Sequence, residues 1–265
     1  MIGKKSIFPA LVVAVVLAGC GGAERTAIQI DRLMYNNLAT VTISGPNLDK
    51  GITVVAPQCT GIVEVAGGTA TQRTYTCTPS TVGSMTLAVT GGGATLHSTT
   101  FYIPQPHVSL KTTMGDILIE LDPTGAPISV KNFLKYVNSG FYTNLIFHRV
   151  IASFVIQAGG FDVDLVAKTP EAPIKLEVGN GLSNLRGTVA MARSGELNSA
   201  TSQFYINSVD NVSLDTLGGG YAVFGKVVVG LDIVDAISGV VTGTTNSMPD
   251  VPIVPVFITS ISQTQ

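Results

Sequence analysis

Nearly all of the stretch from Phe147 to Gly160 is apolar, yet Arg149 and Gln157 interrupt it. Short apolar runs on either side of a turn read as a pair of buried strands. A cation beside such strands costs free energy unless it has a partner or a task. A second run of the same kind lies downstream, Gly187-Thr188-Val189-Ala190-Met191-Ala192-Arg193, followed by Ser199-Ala200-Thr201-Ser202-Gln203-Phe204-Tyr205-Ile206. The rest of the chain fits a strand-built fold. Twenty-nine Gly, with many Thr and Val, favour strands and turns over long helices. Hydrophobic residues make up 45% and charged residues 12%, enough apolar surface for a real core and too little charge for disorder. A length of 265 residues accommodates one large domain or two modest ones. The formal charge of −2 offers no basic field for nucleic acid.

The first 19 residues read as a targeting segment. Lys4 and Lys5 form a short positive region, and Ile7 to Ala18 is an apolar run too short to span a membrane comfortably. Leu17-Ala18-Gly19-Cys20 resembles a bacterial lipobox. That pattern implies cleavage before Cys20 and lipid on its thiol and new amine; several chains on one residue hold a bilayer far better than one. The other reading is an ordinary secretory peptide cut at a different small residue. Three Cys is an odd number for an exported chain. With Cys20 lipidated, Cys59 and Cys77 remain, and an oxidising compartment would let them form a disulfide. Two buried free thiols or a metal pair are the alternatives, although no His or Cys cluster supports a metal.

Residues 20–27 read as a tether. Residues 28–103 carry β-prone runs at 39–44, 52–55, 61–65, 73–77 and 85–90, parted by turn signals such as Gly45-Pro46-Asn47 and Gly91-Gly92-Gly93. This spacing predicts a small β-sandwich, immunoglobulin-like at a coarse level, though the chain has no Trp for the antibody-type core. Ile103-Pro104-Gln105-Pro106 marks the domain boundary, with residues 104–106 as an extended linker. Residues 107–265 open with a hairpin, 108–112 and 116–121. A helix follows, with Pro127 in its first turn, Val130, Phe133, Leu134 and Val137 on one stripe, and Gly140 at its C-terminal end. Strands are predicted at 145–150, 154–157, 187–192, 203–207, 223–228 and 255–261. Leu231, Val234 and Ile237 mark a second short helix.

From near His107 to the C-terminus, the two runs quoted first resemble the cyclophilin family of peptidyl-prolyl cis-trans isomerases, in its bacterial branch. The resemblance implies a mainly β fold, a closed eight-stranded antiparallel barrel with two helices, which leaves no exposed sheet edge. It also implies a chemistry that needs no metal, cofactor or nucleophile. The peptide C–N bond resists rotation by ~18–20 kcal/mol. The cis and trans forms of X-Pro nevertheless differ little in energy. A catalyst must favour the twisted state, in which the prolyl nitrogen regains a lone pair.

Residue by residue, the resemblance assigns Arg149 as the catalytic donor to that nitrogen, with Gln203 beside it. Phe154, Val155, Tyr205 and Leu214 match the proline pocket; Val155 departs from the usual Met, and Tyr205 from the commoner Phe, adding a hydroxyl expected at the rim. Gln157 matches the family's other glutamine. Ala192 and Arg193 match the substrate-backbone positions, Arg193 in place of Asn. Tyr221 sits where many members carry His, and Ser213 where others carry an indole, a loss that opens one wall. His148 neighbours Arg149. Alternation along a strand would turn it to the opposite face, as a structural residue. His97 and His107 lie outside the motifs and are expected to be exposed.

The expected function is cofactor-independent isomerisation of X-Pro bonds, assisting exported proteins to fold in the cell envelope. The alternative is a non-catalytic cyclophilin-fold chaperone or binding module. Expected partners are proline-containing polypeptides and, through the anchor at Cys20, a membrane; nucleic acid is not a partner, and the protein is expected to be a monomer. Gly21-Gly22 after Cys20, with no Asp there, favours a periplasm-facing place on the outer membrane.

Overall fold

The computed structural model describes residues 25–265. The expected signal peptide and Cys20 lie outside the described residues. The chain divides into two compact units between Pro104 and Gln105. Pro106, expected in the linker, is already built into the second unit: it is buried, and its carbonyl accepts the N–H of Leu121 at 2.9 Å.

Among the described residues the first unit has seven strands: β1 (Ala27–Asp31), β2 (Ala39–Ser44), β3 (Ile52–Val55), β4 (Cys59–Glu64), β5 (Gln72–Pro79), β6 (Gly83–Gly91) and β7 (Ala94–Ile103). They form two antiparallel sheets, ordered β1-β2-β5-β4 and β3-β6-β7. Alternate residues are buried: Ala39, Val41 and Ile43 on β2, Met85, Leu87 and Val89 on β6. Each sheet therefore hides one apolar face, as period-two patterning requires. Two strands were not anticipated. β1 begins at Ala27, inside the expected tether, and β7 is a polar strand rich in Thr that hydrophobic alternation cannot mark. A disulfide joins Cys59 on β4 to Cys77 on β5, their Cα atoms 5.5 Å apart.

The second unit contains β8 (His107–Thr112), β9 (Gly115–Leu121), α1 (Pro127–Asn138), β10 (Phe147–Ile151), β11 (Val155–Ala158), β12 (Thr188–Met191), β13 (Phe204–Asn207), β14 (Val223–Val229), α2 (Leu231–Ser238), β15 (Thr242–Thr245), β16 (Met248–Pro252) and β17 (Ile258–Gln263). Eight of these strands form one antiparallel sheet, ordered β10-β11-β13-β12-β14-β9-β8-β17. The edge strands β10 and β17 share no ladder; the chain beside them meets in an isolated bridge, Ile146 with Phe257. The sheet is thus not closed by a ladder into the expected barrel; the chain near its two edges meets only in local contacts such as the Phe147 N–H donating to the Val256 carbonyl at 2.9 Å. The last strand also starts later than its apolar run. Pro255 has no N–H to give a ladder, and pairing with β8 begins at Ile258.

Helix α1 buries Val130, Phe133, Leu134 and Val137, the predicted stripe. Phe133 packs against Tyr142, Phe204 and Phe224, with ring centroids 5.1 to 5.5 Å apart. The helix ends in a Schellman motif: Gly140, at φ 69°, donates to Val137, and Phe141 to Tyr136. Its N-terminus is held from a distance. The Glu177 carboxylate accepts the N–H groups of Ile128 (2.9 Å) and Ser129 (2.7 Å). The short β15–β16 hairpin was not foreseen, because its Thr and Gly residues carry no apolar alternation.

Candidate active site

Strand alternation builds the site on one face of the large sheet. On β11, Val155 and Gln157 share a face; on β13, Tyr205 shares it, with Gln203 two residues before; on β12, Ala190 shares it. The intervening residues Ile156, Phe204, Ile206, Val189 and Met191 turn the other way and form the core, each 0 or 1% exposed. A sheet whose inner face is that apolar holds its outer face still.

Two groups of side chains occupy that outer face. The first is polar. Arg149 on β10 pairs in register with Gln157 on β11. Its Nη1 donates to Gln157 Oε1 at 3.2 Å, and Gln157 Nε2 donates to Gln203 Oε1 at 2.9 Å. One guanidinium donor is thereby used within the protein, leaving others of its fixed fork for a ligand. The second group is apolar. Val155, Ala190, Tyr205, Leu214 and Val223 form a buried cluster, with Phe154, Leu182, Ala192 and Tyr221 partly buried against it. Phe154, Val155, Ala192, Tyr205, Leu214 and Tyr221, far apart in sequence, come together here. Leu182, Ala190 and Val223 join them without having been foreseen, since each alone reads as ordinary core. Ser213 is exposed on the short 3-10 turn Val212–Asp215 that carries Leu214.

Four sequence expectations change. Tyr205 does not present a hydroxyl at the rim: it is 4% exposed, and its OH donates to Asn184 Oδ1 at 2.7 Å. Burial, with Tyr221 and Asp215 nearby, pushes this phenol far above its ordinary range, so it stays neutral. His148 packs as a structural residue, but not by the alternation expected of it. The ladder shifts register between Phe147 and Arg149, so His148 is the extra residue of a β-bulge and strict alternation fails there. Its ring packs against Phe161 (centroids 4.7 Å apart), and it is 2% exposed. Its pKa is lowered to about 4, chiefly by burial, with Gln203 and the Ile146 backbone opposing and Arg149 adding to the fall. Its Nδ1 has no hydrogen-bond partner. The Arg193 side chain, at an expected backbone-binding position, is engaged with the protein itself: it donates to the carbonyls of Gly220 (3.0 Å) and Ser194 (3.0 Å). His107, expected in solvent, is half-buried and pairs with Glu120, Nε2 to Oε2 3.5 Å.

Asn184 was missed. It is fully buried and ties the pocket together. Besides Tyr205, its Oδ1 accepts from Asn207 Nδ2 (3.2 Å), and its Nδ2 donates to Asp215 Oδ1 (2.8 Å) and the Tyr221 carbonyl (3.3 Å). Burial alone would raise the Asp215 carboxyl, but hydrogen bonds from Ser183 and Asn184 outweigh it and hold the group below its usual value. No local periodicity marks an Asn in a loop as buried; its signal lies in partners 21 to 37 residues away. A cavity of about 400 Å³ adjoins this network, lined by Asp215, Asn180, Leu182 and Tyr221 among others.

The family described as "Cyclophilin type peptidyl-prolyl cis-trans isomerase/CLD" matches residues 107–262. Peptidyl-prolyl cis-trans isomerase A of Dickeya dadantii is 53% identical over 156 residues, 58% of this chain and 82% of that protein. Peptidyl-prolyl cis-trans isomerase B of Escherichia coli is 49% identical over 160 residues, 58% of this chain and 98% of that protein. Among solved structures, a cyclophilin-type isomerase from Cryptosporidium parvum aligns with a TM-score of 0.53 at 29% identity. It covers 61% of this chain and 99% of that one. The family match begins at residue 107 and so lies wholly within the second unit.

Proposed function

The chain belongs to the cyclophilin-type peptidyl-prolyl cis-trans isomerase family, and from that premise we propose how its own residues turn an X-Pro bond. It is a peptidyl-prolyl cis-trans isomerase acting on proline-containing polypeptides. The proline ring enters the apolar cluster against Phe154, Val155, Tyr205 and Leu214, which excludes water and fixes the ring. The carbonyl preceding proline then rotates while the ring stays still. As the C–N bond twists, resonance is lost and the prolyl nitrogen becomes pyramidal. Arg149 donates to its new lone pair. A donor already aimed at developing electron density needs no reorganisation at the moment of reaction. Gln157 and Gln203 keep the guanidinium from swinging to solvent, and Ala192 and Tyr221 bind the flanking peptide backbone.

The observation that carries this reading is the chain Arg149–Gln157–Gln203, with links of 3.2 and 2.9 Å, on the same sheet face as the apolar cluster. The test follows isomerisation of a short X-Pro peptide by the full chain and by Arg149→Ala. Loss of one preorganised donor is expected to lower kcat/KM by about 10²–10³. Equal rates would remove Arg149 from the mechanism.

The first unit we read as an immunoglobulin-like sandwich; its two antiparallel sheets, with alternating burial, support this. We place the protein's work in the cell envelope, lipid-anchored at Cys20 and facing the periplasm, most fittingly on the outer membrane, where it would assist exported chains to fold. The support is the sequence of residues 1–22 and the pairing of the other two cysteines.

A further inference from the structure

Three consecutive glycines, 218 to 220, form the turn that leads into Tyr221, and all have positive φ (60°, 93° and 90°). Glycine reaches such conformations freely, but it leaves them as freely. The turn has no side chains of its own with which to pack. Internal 3-10 bonds from Gly219 and Gly220 to Thr216 and Leu217 supply part of its order. The rest comes from outside: the Leu197 and Val178 side chains lie against Gly219 and Gly220, and the turn's carbonyls are held by Arg193. Its Nη2 donates to the Gly218 carbonyl at 2.5 Å and its Nε to the Gly220 carbonyl at 3.0 Å. The same guanidinium lies 4.5 Å from the centre of the Tyr221 ring. Tyr221 in turn meets Tyr205 edge to face at 6.1 Å, within the apolar cluster. One planar group thus spans the first and last carbonyls of the turn and backs the aromatic wall that follows.

We propose that Arg193 is a positioning residue that latches the 218–220 turn and so fixes Tyr221 as one wall of the proline pocket. The proposal rests on the isomerase reading of that pocket. Geometry favours arginine here. Two carbonyls in different directions need a rigid fork, and the ring needs a flat cation; lysine offers one flexible point charge. With the turn held, the pocket is formed before the peptide arrives, and the peptide does not bear the cost of ordering it. Arg149 lies in another part of the site, so the latch governs binding of the peptide and leaves the bond-twisting step to its own donor.

The experiment compares the full chain with Arg193→Met, which keeps an unbranched apolar stem and loses the donors, and Arg193→Lys. Two quantities are read: kcat and KM for a short X-Pro peptide, and amide order parameters of Gly218, Gly219 and Gly220 without peptide. For Arg193→Met the expected result is a rise in KM of about tenfold, the size of one lost hydrogen bond to a charged group, with kcat within about twofold of the parent. The three glycines should fall from values near ~0.85 to below ~0.6. Arg193→Lys should recover part of both. Ordered glycines in Arg193→Met would overturn the latch, even with KM raised, because Arg193 would then touch the peptide directly. Loosened glycines with an unchanged KM would overturn the link to the pocket. Should the parent chain fail to accelerate isomerisation, the isomerase reading falls, while the glycine measurement still decides the latch.

Discussion

Replacing Gly160 with alanine would set a new Cβ 2.6 Å from Gln203 Nε2, 2.7 Å from its Cδ and 2.8 Å from its Cγ. No carbon approaches that closely, so the Gln203 side chain must move. It can do so cheaply, because it is the end of a flexible chain and Gly160 itself does not have a positive φ. A displaced rotamer costs about 0.5–1.5 kcal/mol, and Gly→Ala at a compatible backbone returns about 0.4–1 kcal/mol through the unfolded state. Stability should therefore change by less than about 1 kcal/mol from these two effects, and fall by about 1–2 kcal/mol once the hydrogen bond that Gln203 gives up is counted. The position Gln203 leaves is another matter. Its Oε1 receives Gln157 Nε2 at 2.9 Å, and Gln157 in turn receives Arg149. Losing one such bond is worth about 1–1.5 kcal/mol, or about tenfold in kcat/KM. The assay is isomerisation of an X-Pro peptide, run beside urea unfolding. Gly159→Ala is the control with the opposite signature. Its φ is +93° and the new Cβ would meet the Ser202 carbonyl oxygen at 2.8 Å, a backbone atom that cannot step aside. That variant should lose about 2–3 kcal/mol of stability. If Gln203 transmits the effect, Gly160→Ala should add nothing in a Gln203→Ala background. A folded Gly160→Ala protein with parental kcat/KM, or full additivity in the double variant, would refute the reasoning.

Stability should also follow His148. Its folded pKa of about 4 lies below the ordinary 6.5, so the unfolded chain takes up the proton first as pH falls. The contribution is complete above about pH 6.5 and is lost between there and about pH 4, in total about 3 kcal/mol. Urea midpoints for the parent and His148→Gln across that range should converge at low pH; parallel curves would contradict it. Reducing the Cys59–Cys77 bond should lower the stability of the first unit by about 3 kcal/mol and leave isomerisation unaltered. Isomerisation that falls with reduction would break the separation of roles between the two units. A Cys20→Ala chain expressed in bacteria should lose lipid labelling and leave the membrane fraction; an unlabelled, soluble parent would remove the anchor.

Where the sequence was informative, the information was local. Helix α1 could be read because Val130, Phe133, Leu134 and Val137 repeat on one turn-spaced stripe and Gly140 ends it. Arg149 and Gln157 stood out because each interrupts an apolar run, whereas Gln203 was picked out by the family resemblance alone. β1, β7 and the β15–β16 hairpin were missed for the converse reason: short or Thr-rich strands carry little apolar alternation. The motifs thus picked out residues that the fold brings together on one sheet face.

Their orientation was decided elsewhere. A one-residue bulge broke the alternation at His148, whose ring is buried against Phe161. Asn184 drew the Tyr205 hydroxyl inward from a position 21 residues distant. Arg193 reached 25 and 27 residues along the chain to the turn before Tyr221. Residue type and spacing act within a few positions of the backbone, so they fix what each strand can offer. Which donor meets which acceptor depends on strands brought side by side from distant parts of the chain, and only the folded sheet settles that.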